Sequence, residues 1–240
     1  MKGEVIGGKA SLAYLVLWDS NASARILAEL FRRDIRVFAS DLPFTILDRE
    51  FPAGSLIVKT KNNPVDLYEQ ISEAAEAAGA KVYATDSSWV ASGPNFGSDN
   101  VRYLVRPKVL LVYDQPTNPS AAGATRFLLE QEYGYPVTII QGMNLSRADL
   151  SPYNVLILPP SYGYGAAASA ILGKPVIGRI RDWVRNGGTL IALGSACELL
   201  TGEDAGLLAT STGFKENPGG KDTGEKDSAK IRPDSIPGAI

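Results

Sequence analysis

The stretch Ile180 to Cys197, I-R-D-W-V-R-N-G-G-T-L-I-A-L-G-S-A-C, constrains the fold more than any other part of this 240-residue chain. Ile180, Trp183 and Val184 recur at helical spacing, and Asn186-Gly187-Gly188 supplies a helix stop. Thr189 to Leu193 is then a short apolar run suited to a strand buried on both faces. A helix, a glycine stop and a buried strand form half of a parallel α/β repeat. Gly194-Ser195-Ala196-Cys197 follows where the strand ends, the place at which open α/β sheets put their ligand sites, and this makes Cys197 the candidate nucleophile.

The same alternation can be read from the start of the chain. Leu12 to Trp18 predicts a strand, and Asp19-Ser20-Asn21 offers N-cap chemistry to a helix over about Ala22 to Arg33 with Ile26, Leu27, Leu30 and Phe31 on its apolar face. Ile35 to Phe38 alternates as a second strand, so residues 12–38 read as a β-α-β unit with a tight return. Asp41 opens a loop, and Phe51-Pro52-Ala53-Gly54 turns into a strand over Ser55 to Lys59. Asn63-Pro64 then predicts a helix start with Pro in the first turn, a buried face including Val65, Tyr68 and Ile71, and a stop at Gly79. After a strand over Lys81 to Thr85 comes a long loop, Asp86 to Asn100, of a length that is either functional or crosses between subdomains, the plainer reading being a crossover packed by Trp89 and Phe96.

Arg106-Pro107 marks the predicted domain boundary. Beyond it lie strands at Lys108 to Tyr113, Val137 to Gln141, Val155 to Leu158 and Thr189 to Leu193, interleaved with a helix capped by Ser120 and a helix over Pro175 to Asn186. The expected organisation is two α/β units, 1–106 and 107–214, the second a doubly wound parallel sheet. Residues 215–240 form a Gly-, Lys-, Asp- and Glu-rich loop or tail over Lys215 to Lys230, then an apolar I-P-G-A-I that reads as a strand cut short.

Composition excludes several classes of function. The chain has no histidine and one cysteine, which removes Ser-His-Asp and Cys-His catalysis within it, an internal disulfide, and nearly every side-chain zinc, copper or haem site. No metal or cofactor is expected. A formal net charge of −2, with no basic stripe carrying interleaved aromatics, argues against nucleic acid. Nothing approaches the roughly 20 apolar residues of a membrane span, and Met1 to Lys9 lacks the apolar core of a signal peptide.

K-V-L-L-V-Y, Y-N-V-L-I-L-P-P and W-V-R-N-G-G-T-L-I-A-L-G-S-A make the span from Lys108 to about Leu200 resemble a class I glutamine amidotransferase-like domain. That resemblance implies a flavodoxin-like fold with a nucleophilic Cys on a tight strand-to-helix turn. The family's active members carry a Gly-x-Cys-x-Gly elbow and a downstream His-x-Glu. Here Ala196 stands two residues after Gly194, Cys197 one further on, and no His exists. A wider resemblance rests on F-P-A-G-S-L-I-V, V-Y-A-T-D-S-S-W, G-P-N-F-G-S-D-N-V-R-Y-L-V-R-P-K-V and I-P-G-A-I in that order. It is similar to the non-catalytic region that follows the peptidase domain in bacterial zinc carboxypeptidase-like proteins. This implies a peptidase domain of the same parent, or a second copy of the chain, as partner, and a secreted or periplasmic setting. The peptidase's zinc ligands, a His-x-x-Glu pair and a later His, are absent.

Three functional readings follow: a non-catalytic accessory region of a metallopeptidase protein, a small-ligand or saccharide-binding module, and a Cys197-dependent enzyme. For a ligand crevice at the C-terminal strand ends the expected residues are Asp114, Gln115, Thr117, Ser161, Tyr162, Ser195 and Glu198.

Overall fold

A computed structural model describes residues 2–161, 166–201, 205–210, 215–216 and 230–231, with 166–171, 215–216 and 230–231 described by backbone alone. The chain divides into two compact units, Met1–Val109 with Gly123–Thr138, and Leu110–Ala122 with Ile139–Ile240. Both are α/β.

The N-terminal unit contains β1 (Glu4–Ile6), β2 (Ala13–Val16), α1 (Asn21–Arg32), β3 (Phe38–Ser40), β4 (Phe44–Ile46), β5 (Arg49–Phe51), β6 (Leu56–Lys59), α2 (Leu67–Ala78), β7 (Lys81–Thr85) and β8 (Val101–Tyr103). Six of these strands form one sheet in the order β1-β7-β2-β6-β3-β8. Only β1 and β7 run parallel; every other neighbouring pair is antiparallel. The β-α-β reading of residues 12–38 is therefore corrected to a split form. β6 lies between β2 and β3 and is antiparallel to both, which a pattern confined to residues 12–38 does not record.

Strand alternation sorts the side chains onto two faces. Tyr14 and Val16 of β2, Leu56 and Val58 of β6 and Val82 of β7 join one core with Ile26 and Leu30 of α1 and Ile71, Ala74 and Ala75 of α2. Ala13, Leu15, Ile57 and Tyr83 face the other way, under the β4–β5 hairpin and Phe96. That hairpin lies in the segment after Asp41 that the sequence pattern reads as loop. Its two linking residues, Leu47 and Asp48, both have positive φ (56° and 53°), a type I′ turn made without the Asn-Gly or Asp-Gly signal that marks such turns. The edge strands β1 and β8, only three residues each, are too short to show a periodicity in the sequence.

Two further expectations need correction. Helix α2 is capped at Asp66 and not opened by Pro64, which sits in the preceding turn with its carbonyl accepting from Leu67 N at 3.2 Å; Val65 falls before the helix and is 97% exposed. The stop at Gly79 is present, in the left-handed conformation (φ 68°, ψ 27°) that glycine adopts without steric cost. In the loop after β7, Phe96 is the anchor, buried and edge-on to Phe44 at 6.1 Å, whereas Trp89 is 80% exposed.

The second sheet comprises β9 (Val109–Tyr113), β10 (Thr138–Gln141), β11 (Val155–Leu158) and β12 (Thr189–Ala192), a parallel sheet in the order β10-β9-β11-β12. Helices α3 (Pro119–Phe127), α4 (Ala166–Arg185) and α5 (Cys197–Thr201) alternate with these strands. Asn118, and not Ser120, caps α3: its Oδ1 accepts from the amides of Ser120 (2.9 Å) and Ala121 (3.2 Å). A π-type turn, Leu128–Glu132, continues α3. α4 starts before Pro175, but Gly173 (φ 77°, ψ 155°) interrupts it two residues ahead of that proline. Leu110, Val112, Leu156 and Leu158 pack with Val176, Ile177 and Ile180 of α4 and Leu199 of α5. β12 is an outer strand, so Thr189 and Ile191 are exposed and the expected burial on both faces is not found.

Lys215–Glu216 and Lys230–Ile231 pair as short antiparallel strands, β13 and β14. The rest of the segment expected to be flexible, and the terminal I-P-G-A-I, lie outside the described residues. No helix among the described residues is long and apolar enough to cross a membrane.

Candidate functional site

The crevice predicted at the C-terminal ends of β9, β11 and β12 is built by three turns. After β9 the backbone enters the left-handed region at Asp114 (φ 64°), and the Gln115–Pro116 peptide bond is cis. The Asp114 carbonyl accepts from both the amide (2.8 Å) and the hydroxyl (2.7 Å) of Thr117, which is buried. This closes the turn on itself.

Thr117 then meets Ser161, at the end of the β11 strand, through an antiparallel bridge, and Asn118 N donates to the Pro160 carbonyl at 2.7 Å. Ser161 in turn faces Ser195 from the β12 end. Its amide donates to Ser195 Oγ at 3.0 Å, Ser195 Oγ donates to the Ser161 carbonyl at 3.2 Å, and the two hydroxyls lie 3.4 Å apart. Thr117, Ser161 and Ser195 are thus brought together; the Thr117 hydroxyl is spent within its own turn, and Ser161 and Ser195 join one loop to the next. Below them Val112, Pro116, Leu158, Leu172, Ala196 and Leu199 line only a narrow apolar recess.

The remaining candidates contribute less. Asp114 and Gln115 belong to the cis-proline turn, and the hydrogen bonds that build the turn use the Asp114 carbonyl, not its carboxylate. Glu198 is half-buried in α5, with its carbonyl accepting from the Thr201 hydroxyl at 3.1 Å. Tyr162 lies outside the described residues.

Cys197 is exposed and occupies the first position of α5, directly after the 3-10 turn Gly194–Ala196. Its Sγ lies 3.2 Å from the Ala192 carbonyl, to which an S–H group donates and a thiolate does not. α5 is only five residues long, so few aligned peptide dipoles stand behind the sulfur. No histidine exists in the sequence to serve as a base, and Glu198 is the next residue. Among the described residues, no group of three or more His, Cys, Asp or Glu is placed to hold a metal ion.

Sequence reasoning assigns no ligand to the long loop after β7 in the N-terminal unit, where Trp89 borders a cavity of about 410 Å³. The available signal was the company this tryptophan keeps, a run of Ser, Gly and Asn with little apolar sequence to bury it. No protein-family model, curated protein or solved structure matches this chain.

Proposed function

We propose that this chain is a non-catalytic accessory region of a zinc carboxypeptidase-like protein, its second sheet being a flavodoxin-like, class I glutamine amidotransferase-like unit without the catalytic triad. In order of appearance the four parallel strands lie 2-1-3-4, which agrees with the opening of the flavodoxin-like order 2-1-3-4-5. Ala196 occupies the strand-to-helix position at which that family's active members hold their nucleophile, and Cys197 is one residue beyond it, so the scaffold resemblance and the missing chemistry meet at one place.

The observation that carries the reading is the crevice itself. Ser161 and Ser195 hydrogen-bond to each other across neighbouring loops and the Thr117 hydroxyl donates to the Asp114 carbonyl of its own turn, where a ligand would otherwise be held, and the recess beneath them is narrow and apolar. An accessory role needs no ligand there. The alternative of a ligand-binding crevice requires these loops to part, and a Cys197-dependent enzyme requires a proton acceptor that the sequence does not supply. The partner on this reading is the peptidase domain of the same parent, or a second copy, in a secreted or periplasmic setting.

Two measurements test it. Iodoacetamide should alkylate Cys197 slowly at pH 7, with no glutaminase or peptidase turnover by the purified chain and unchanged folding in Cys197→Ser. Rapid labelling that persists well below pH 7, with a hydrolytic activity abolished by Cys197→Ser, would restore the enzyme. Separately, the gene encoding this chain should also encode a His-x-x-Glu metallopeptidase domain that co-purifies with it; a gene without one removes the accessory reading.

A further inference from the structure

The N-terminal unit carries a second concave site, unrelated to the strand-end crevice. We infer that the loop following β7 is a binding site for a neutral saccharide, with the Trp89 indole as its stacking surface.

A buried tryptophan removes more apolar area from water than any other side chain, so leaving one 80% exposed forgoes a large stabilising contribution. That exposure is not the slack of a loose loop, because the backbone on either side is held. Trp89 N donates to Ser87 Oγ at 3.0 Å, and Thr85 Oγ1 donates to the Ser87 carbonyl at 2.8 Å. On the far side, Thr45 N donates to Ser92 O and Ala91 N to Thr45 O, both at 2.8 Å, which ties the loop to β4. Gly93 (φ 89°) lies so close to the hairpin that a Cβ there would meet the Pro43 carbonyl at 2.3 Å. Phe96 plugs into the core, and its carbonyl accepts from Lys59 Nζ at 2.6 Å. A rigid frame therefore presents the indole to solvent, and little ordering entropy is lost when a ligand settles on it.

The cavity beside it, about 410 Å³, falls in the size range of small-molecule sites. Its lining selects the ligand class. Ser88, Trp89, Val90, Asn95 and Phe96 line it together with two glycines, and no charged side chain does. A phosphate, carboxylate or ammonium entering it would lose hydration with no counter-charge to replace it. What the lining offers is one broad aromatic face and polar groups left over from the loop's own bonding. Asn95 Oδ1 is taken by Gly97 N at 3.0 Å, but the Asn95 amide N–H groups, the Ser88 hydroxyl and the Trp89 indole N–H have no partner among the described residues. Hydroxyls above an apolar ring of C–H groups complement that set, and a neutral pyranose has both.

The test uses the full chain titrated with maltohexaose, cellohexaose, chitohexaose and xylohexaose, with glucose 6-phosphate as a charged counter-probe, read by tryptophan fluorescence and calorimetry. At least one neutral hexasaccharide should bind, with a Kd that does not change between about 50 and 500 mM NaCl because no charge lines the site. Trp89→Ala should raise that Kd by at least about tenfold with an unaltered circular dichroism spectrum, Trp89→Tyr should recover part of the loss, and Trp18→Phe should leave it unchanged. Absence of binding by all four up to about 10 mM, a range that covers even weak millimolar association, would overturn the proposal. So would binding that survives Trp89→Ala, tighter binding of the phosphate sugar, or a Trp89→Ala defect confined to association with another protein. None of these outcomes bears on the accessory reading, whose tests use Cys197 and the parent gene.

Discussion

In the N-terminal unit the central strands β2 and β6 are buried along nearly their whole length, with α1 and α2 over one face and the β4–β5 hairpin and Phe96 over the other. The second sheet is equally apolar and buried in its middle strands, β9 and β11, and both sheets are open at their outer strands, where Ile6 of β1 (39%), Tyr103 of β8 (53%), Ile139 of β10 (44%) and Ile191 of β12 (40%) are exposed. Both sheets begin from the same kind of sequence, short runs of Val, Ile and Leu. The two differ in what covers the middle strands. A hairpin of two three-residue strands, bringing in Phe44 and Phe51, covers one face of the first sheet, whereas α4 and α5 supply Val176, Ile177, Ile180 and Leu199 to the apolar cluster of the second. An apolar run thus specifies a strand without specifying which element will cover it.

The largest expected effect strikes the closed face directly. Phe51 is fully buried, stacked on Phe44 at 5.0 Å and edge-on to Tyr83 at 5.8 Å, so Phe51→Ala should cost about 3–5 kcal/mol in urea unfolding. Ile191→Ala, on the open outer strand, should cost under about 1 kcal/mol. Similar losses at the two positions would erase the contrast between a covered face and an open outer strand.

Helix starts give the next effect, and here the two units exchange rank. Asn118 makes two cap hydrogen bonds to α3, whereas Ser20 occupies the cap position of α1 with no cap bond from its side chain. Asn118→Ala should therefore cost about 1 kcal/mol, and Ser20→Ala no more than about 0.5 kcal/mol, by thermal unfolding. Equal costs would mean that cap geometry does not distinguish the helices.

The smallest effect is a pH dependence at the rim of the first sheet. Asp86, just beyond β7, accepts from the Ser11 amide (2.6 Å) and hydroxyl (2.8 Å), and these donors, the amide first, hold its carboxyl below the ordinary value. A carboxyl depressed by folding contributes stability that is complete above its unfolded pKa of about 4 and is lost as the pH falls through the lower folded value. Ser11 amide exchange should be slowed at pH 6 and lose that protection on acidification below this range, and Asp86→Ala should show no such transition. Protection of Ser11 that is independent of pH in the native protein would remove Asp86 as its cause.

Local chemistry was enough for the second sheet's alternation of strand and helix, for the stop at Gly79, and for the place of Cys197 at the start of a short helix after β12. Each follows from periodicity or from one residue's backbone preference, and needs no knowledge of distant partners. Missing histidine belongs to the same category, since a residue type absent from the chain supplies no base in any fold. Tertiary structure decided the rest. β6 lies between β2 and β3 because pairing is a contact between segments far apart in sequence. Leu47 and Asp48 turn a hairpin without glycine because the β4–β5 pairing and the buried stack of Phe44 on Phe51 offset an unfavourable backbone conformation. Thr117 and Ser161, 44 positions apart by their numbering, share a bridge that no spacing rule encodes. Trp89 and Phe96 look alike on paper as apolar residues of one loop. Only packing assigns one to the core and leaves the other in water, because burial depends on what the rest of the chain places opposite a side chain.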